Sequence, residues 1–154
     1  MYCKLLKKTY EYVPFGIAIS QKMADEYQKR HGKTFLTAMN CVELLQRQPY
    51  VHKSILRIVF SGGLHGGRAY SLVEIGKLIQ GNSELKRKLH LVVYTSKECV
   101  SQYCSLLNGY AELNEYVPRE HYISNLYNAD ILLHVESFDK SEISYFKYSM
   151  STKI

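Results

Sequence analysis

The chain has 154 residues, a length that suits about one domain. With 46% hydrophobic and 22% charged residues it should bury an ordinary core. Its net charge of +6 suits an anionic partner, whether nucleotide, nucleic acid or membrane surface. No segment approaches the roughly 18 apolar residues needed to cross a bilayer. The basic start, Met1 to Thr9, has no long apolar stretch behind it, so no secretory signal is read there. Cys3, Cys41, Cys99 and Cys104 form no CxxC pair and have no histidine at zinc-site spacing, which predicts reduced core thiols and no metal centre.

In chain order, Val13–Ile19 reads as a short strand. Ser20 is placed to cap a helix over 21–30, with Gly32 as its stop. Thr34–Met39 reads as a second strand, and 41–54 as a polar connection. Ile55–Phe60 is a strand that runs into Ser61-Gly62-Gly63-Leu64-His65-Gly66-Gly67-Arg68. A helix is predicted over 68–80, with Leu72, Ile75, Gly76 and Ile79 on one face, ended by Gly81-Asn82. The basic cluster Lys86-Arg87-Lys88 falls in the turn that follows. Leu89–Tyr94 is a continuous apolar run, the mark of a strand buried on both faces. Ser96 caps a helix bearing Val100, Tyr103, Cys104 and Leu107 on its inner face, stopped by Asn108-Gly109. Leu113–Tyr116 is a strand, and Pro118 opens a helix over 119–128 that turns Ile123, Leu126 and Tyr127 inward. Ile131–Val135 reads as another buried strand, enclosing His134 as a hydrogen-bonded core histidine. A loop to about 140 and a helix over 142–148 follow. The end at Ser149–Ile154 looks abrupt, as in a fragment.

Strands alternating with helices predict an α/β fold, a Rossmann-like parallel sheet with helices on both faces. In such sheets ligands sit beyond the C-terminal strand ends, here Ser61–Arg68, Thr95–Lys97, Tyr116–Pro118 and Glu136–Asp139. A glycine loop lets backbone N–H groups approach a phosphate, and a helix N-terminus behind it favours negative charge. The same glycines also serve a tight turn with no ligand. The loop does not spell GxGxxG, and no acidic residue ends the strand at Tyr94-Thr95, which argues against a dinucleotide site. Ser61 and Thr95 are not the acidic strand ends of a receiver domain. Gly62 and Gly67 have P-loop spacing, but Arg68-Ala69 stands where Lys-Ser/Thr is required. The basic residues are scattered and the 14 tyrosines make no stacking motif, so nucleic acid is not the expected partner.

Four stretches, in order, resemble the GT-B glycosyltransferases of the glycogen-synthase-like class (glycosyl transferases group 1). They are Ile17-Ala18-Ile19-Ser20-Gln21-Lys22-Met23-Ala24-Asp25-Glu26-Tyr27, Thr37-Ala38-Met39-Asn40-Cys41-Val42, Phe60-Ser61-Gly62-Gly63-Leu64, and Val117–His134 with its Leu126-Tyr127-Asn128-Ala129-Asp130 centre. Ser151-Thr152-Lys153-Ile154 resembles the opening of the donor-site helix in some bacterial polysaccharide members. The resemblance implies that 1–40 is the end of an N-terminal domain and interdomain segment. It implies that 41–154 is a nucleotide-sugar-binding domain, truncated, in the C-terminal half of a GT-B fold.

By that resemblance the parent enzyme transfers a hexosyl group from a nucleoside-diphosphate sugar to a glycan or lipid-linked acceptor. It does so with retention, without a cofactor or nucleotide-binding metal, in the cytoplasm near the inner face of the membrane. Gly62, Gly63 and His65 match the loop that contacts the donor diphosphate. Gly63 stands where the family often has arginine, and Arg68 near its lysine, so Arg68 is expected to stabilise the leaving diphosphate. Thr95, Tyr116, Val117, Thr152 and Lys153 match other donor contacts; a helix-entry turn explains Tyr116 and Val117 equally well. The family's Glu-x7-Glu pair is missing: Ser144 lies eight residues beyond Glu136, and Met150 eight beyond Glu142. Glu136 is the partial substitute, or else a solvated loop carboxylate. The alternative is a non-catalytic Rossmann-like interaction or regulatory module that kept the fold and lost the chemistry.

Overall fold

The computed structural model describes residues 8–39, 41, 49, 51 and 53–146. These divide into two units, residues 8–39 in the first and 53–144 in the second. In the first, β1 (Gly16–Ala18) pairs in parallel with β2 (Phe35–Thr37) across α1 (Gln21–His31). Ser20 caps α1 by accepting from the Met23 N–H at 3.2 Å, and Gly32 closes it in the left-handed region at φ 64°. Phe35, Ala18 and Ala24 form its small core, with Tyr10, Met23 and Tyr27 packed around them.

The second unit follows the expected alternation. Its elements are β3 (Leu56–Ser61), α2 (Arg68–Gly81), α3 (Ser83–Lys88), β4 (Leu89–Thr95) and α4 (Lys97–Leu107). Then come β5 (Glu112–Glu115), α5 (Arg119–Tyr127) and β6 (Ile131–Leu132), and the start of α6 (Lys140–Phe146), of which this unit holds residues 140–144. All strand pairings are parallel, in the order β5-β4-β3-β6. Numbered within the unit, that order is 3-2-1-4, the first two-thirds of the Rossmann order, with a topological switch between β3 and β6. The crossover direction reverses on reaching β6. A right-handed connection then puts α5 on the face opposite α2 and α4.

The alternation of side chains along β3 and β4 accounts for both faces. Ile58 with Leu91, and Phe60 with Val93, point to one side and join Leu72, Val73, Ile79, Cys99 and Leu107 of α2 and α4 in the main core. Val59 and Val92 point the other way and are also buried, at 1% and 0% exposure. At the foot of the sheet Asp130 ties β6 to β3: its N–H donates to the Arg57 carbonyl at 3.0 Å, and its carboxylate accepts the Arg57 N–H at 2.7 Å. Lys53 Nζ lies 2.8 Å from the same carboxylate.

Six expectations are corrected. The turn holding Lys86-Arg87-Lys88 is helical, because Asn82 caps it by accepting from the Glu84 and Leu85 N–H groups at 2.9 and 3.1 Å. The inner face of α4 is rotated by one residue: Cys99, Tyr103, Leu106 and Leu107 meet the core, while Cys104 is exposed. Of the thiols expected in the core, Cys99 is buried but Cys41 and Cys104 are exposed; Cys3 lies outside the described residues. The β6 strand is two residues long, with Ile131 and Leu132 exposed at 42% and 43%, and Ile123 and Tyr127 of α5 are similarly open at 44% and 42%. His134 is no core residue, with its side chain 39% exposed. Most of the 41–54 connection and the end of the 142–148 helix lie outside the described residues.

Candidate functional site

The C-terminal ends of β3, β4, β5 and β6 carry every described site residue read from the sequence. The glycine loop follows β3 and starts from a fixed base, since the Gly62 N–H donates to the Tyr94 carbonyl at 3.0 Å. Leu64 is wholly buried and anchors the loop from below, leaving His65 exposed above it. A Cβ at Gly63 would meet no atom within 4 Å, so the backbone there faces open space. Gly67 is different. Its φ is 80°, and a Cβ would stand 2.3 Å from Ser137 Oγ. Here glycine is required by both backbone conformation and contact: it lets the loop after β6 close onto the start of α2.

Gly67 also caps α2, and supplies no side-chain hydrogen bond. The Ala69 N–H donates instead to the Leu64 carbonyl at 3.2 Å, and the Tyr70 and Ser71 N–H groups to the Gly67 carbonyl at 3.2 and 3.4 Å. Three first-turn amides are therefore already satisfied within the loop and cap, which leaves the helix end less open to an anion.

At the switch point Arg68 and Glu136, the two residues read as catalytic, are brought together. Arg68 Nε donates to one Glu136 oxygen at 2.9 Å and a terminal nitrogen to the other at 3.2 Å, a planar two-pronged pair. Ser71 Oγ donates to the Glu136 carbonyl at 2.8 Å, and His134 Nε2 lies 3.4 Å from the carboxylate. Glu136 is thus held from α2 and is not a solvated loop carboxylate. Arg68 in turn has its fork engaged by protein. With side chains 22% and 28% exposed, the pair stays within reach of solvent. Beside it runs an open groove of about 490 Å³ lined by Gly67, Tyr70, Glu74, Phe138, Asp139 and Glu142. Its charged lining is carboxylate. Hydrogen bonds from Ser141, hydroxyl and backbone, hold the Asp139 carboxyl below its usual pKa and keep it ionised.

Thr95 ends β4 with no exposure, and its carbonyl accepts the Tyr116 N–H at 2.7 Å. Tyr116 is 45% exposed at the end of β5, next to a half-buried Val117. Ser96 caps α4 by accepting the Cys99 N–H at 3.3 Å. Cys99 then lies under the glycine loop, its sulfur 3.4 Å from His65 Nε2. Thr152 and Lys153 lie outside the described residues. The sequence reading missed His134 as a neighbour of Glu136, Ser71 as its support, and Cys99 as a neighbour of His65. Only Cys99 left a signal, standing three residues after a cap at a ligand-end strand terminus.

Fold and site together define a Rossmann-like α/β unit with a glycine loop and an arginine–glutamate pair at its topological switch point. Compared with known proteins, the chain matches no family model and no curated sequence. Among the described residues no helix is long and apolar enough to cross a membrane.

Proposed function

We propose that the chain is the donor-binding part of a glycosyltransferase, taking the diphosphate of a nucleotide sugar over the glycine loop. The observation that carries this reading is the 3-2-1-4 strand order, with an open loop backbone at Gly63 beside the switch point. The motifs from Ile17 to His134 support the family. Gly62, Gly63 and His65 then lie along the diphosphate, and Thr95, Tyr116 and Val117 along the nucleoside. Arg68, held in place by Glu136, stabilises the departing diphosphate as a cation positioned before reaction. The parent enzyme passes the sugar to a glycan or lipid-linked acceptor held elsewhere.

The alternative, a non-catalytic module of the same fold, is favoured by one specific observation. Arg68 is already matched by Glu136, and the adjoining groove is lined by further carboxylates. A thermal-shift titration with UDP, GDP, ADP and UDP-sugars, with and without EDTA, separates the two. Ligand that binds the folded state alone raises Tm. The donor reading expects a selective, EDTA-insensitive rise with one nucleoside diphosphate, reduced in Arg68→Ala. No rise with any of them at millimolar concentration, or an equal rise in Arg68→Ala, supports the non-catalytic module.

A further inference from the structure

The groove beside α2 is built from two walls that meet at a fixed base. One wall is the outer face of α2, where Tyr70 and Glu74 stand one helical turn apart. The other is the loop after β6 and the first turn of α6, which bring Phe138, Asp139 and Glu142. Gly67 and Ser137 close against each other at the base, so the walls are held together. Each wall carries an open ring: Tyr70 is 64% exposed and Phe138 87%. At about 490 Å³ the groove has the size of an ordinary binding cleft.

Among the described residues that line it, every charged one is a carboxylate. The chain as a whole carries +6, so the sign is reversed locally. Asp139 accepts the Ser141 N–H at 2.8 Å and the Ser141 hydroxyl, bonds that involve no cation. Glu74 accepts from Lys77 Nζ at 2.8 Å, but both side chains are exposed, and such a pair is held weakly in water.

We propose that this groove docks an arginine-bearing peptide segment of a partner protein. Its guanidinium groups stack on Tyr70 and Phe138 and donate to the carboxylates of Glu74 and Glu142. A guanidinium is the one side-chain group that suits both features at once: its flat face lies on an aromatic ring while its edge donates two parallel N–H bonds to a carboxylate. A lysine ammonium has neither the face nor the fork. A neutral or acidic segment would leave the carboxylates unmatched, and a second copy of this chain arrives with its own +6, which repels it at long range. The groove lies beside the Arg68–Glu136 pair without using it, so the proposal stands whether or not a nucleotide binds the glycine loop.

The test is fluorescence anisotropy with a dye-labelled, end-capped pentapeptide carrying two arginines, against its two-lysine and two-glutamate counterparts, in about 50 mM salt. The arginine peptide is expected to bind about threefold or more tighter than the lysine peptide, and the glutamate peptide not at all. Phe138→Ala and Glu74→Gln replace exposed side chains, so the fold is kept, and each should weaken the arginine peptide by about fivefold. Glu112→Gln, an exposed carboxylate outside the groove, should leave it unchanged. No binding of the arginine peptide at millimolar concentration, equal binding of the lysine peptide, or affinity unaltered in both groove variants overturns the proposal. Sedimentation velocity of the protein alone should show a monomer; a dimer that Phe138→Ala dissociates would give the groove to a second copy and overturn it as well.

Discussion

Asp130 acts at the foot of the sheet, far along the chain from the glycine loop, although it sits in the stretch that most resembles the glycosyltransferase family. Its carboxylate accepts the Arg57 N–H and pairs with Lys53, with its side chain only 4% exposed. The hydrogen bond from Lys53, then that from Arg57, holds its pKa below the usual value of 3.8. The unfolded chain therefore takes up the proton first as pH falls. The stability this group contributes is full above about 3.8 and is lost as pH drops through the folded pKa. Asp130→Asn should cost about 2 kcal/mol in urea unfolding at neutral pH, the scale of a buried charge-assisted hydrogen bond. It should also flatten the acid limb of the stability curve; an unchanged acid limb would show that Asp130 is not its source. The sequence named this residue as part of a pattern but left its job unread, because the pattern does not say which strand lies alongside.

At the scale of elements, what was legible is local. Ser20, Gly32 and Ser96 announce helix ends because each acts on backbone within a few residues. The inner face of α4 was not legible for the opposite reason. Two sets one residue apart share Tyr103 and Leu107, and only packing against α2 and the sheet chooses Cys99 and Leu106 over Val100 and Cys104. The length of β6 was hidden likewise: Ile131–Val135 is apolar enough for a buried strand, but only Ile131 and Leu132 stand in register with β3, and the pairing ends where the Leu133 N–H donates to the Val59 carbonyl at 2.8 Å. Within the glycine loop the sequence could not rank four glycines that the structure sets apart. Gly67→Ala meets both a positive φ and Ser137, and should cost about 2–3 kcal/mol. Gly63→Ala meets neither and should stay within about 0.5 kcal/mol. Chemical denaturation of the two variants checks the contrast, and equal losses would mean that the loop's approach to Ser137 is not the constraint.

For the whole molecule, alternation of strand and helix was enough to foretell a parallel α/β sheet, because each period buries in only one way. Strand order was not in the sequence, and it is the order that puts Gly63, Arg68 and Glu136 at one switch point. The ion pair between Arg68 and Glu136 joins residues 68 positions apart, a distance no local pattern spans. The central claim is that a nucleoside diphosphate binds over the glycine loop at this switch point. Its most direct test is a ¹H–¹⁵N NMR titration of the protein with the nucleoside diphosphate selected by thermal shift, or with UDP if none is selected. The account predicts the largest amide shifts at Gly62–Arg68, with smaller ones at Thr95, Tyr116 and Val117. Shifts confined to other parts of the chain, or none at millimolar nucleotide, would contradict it.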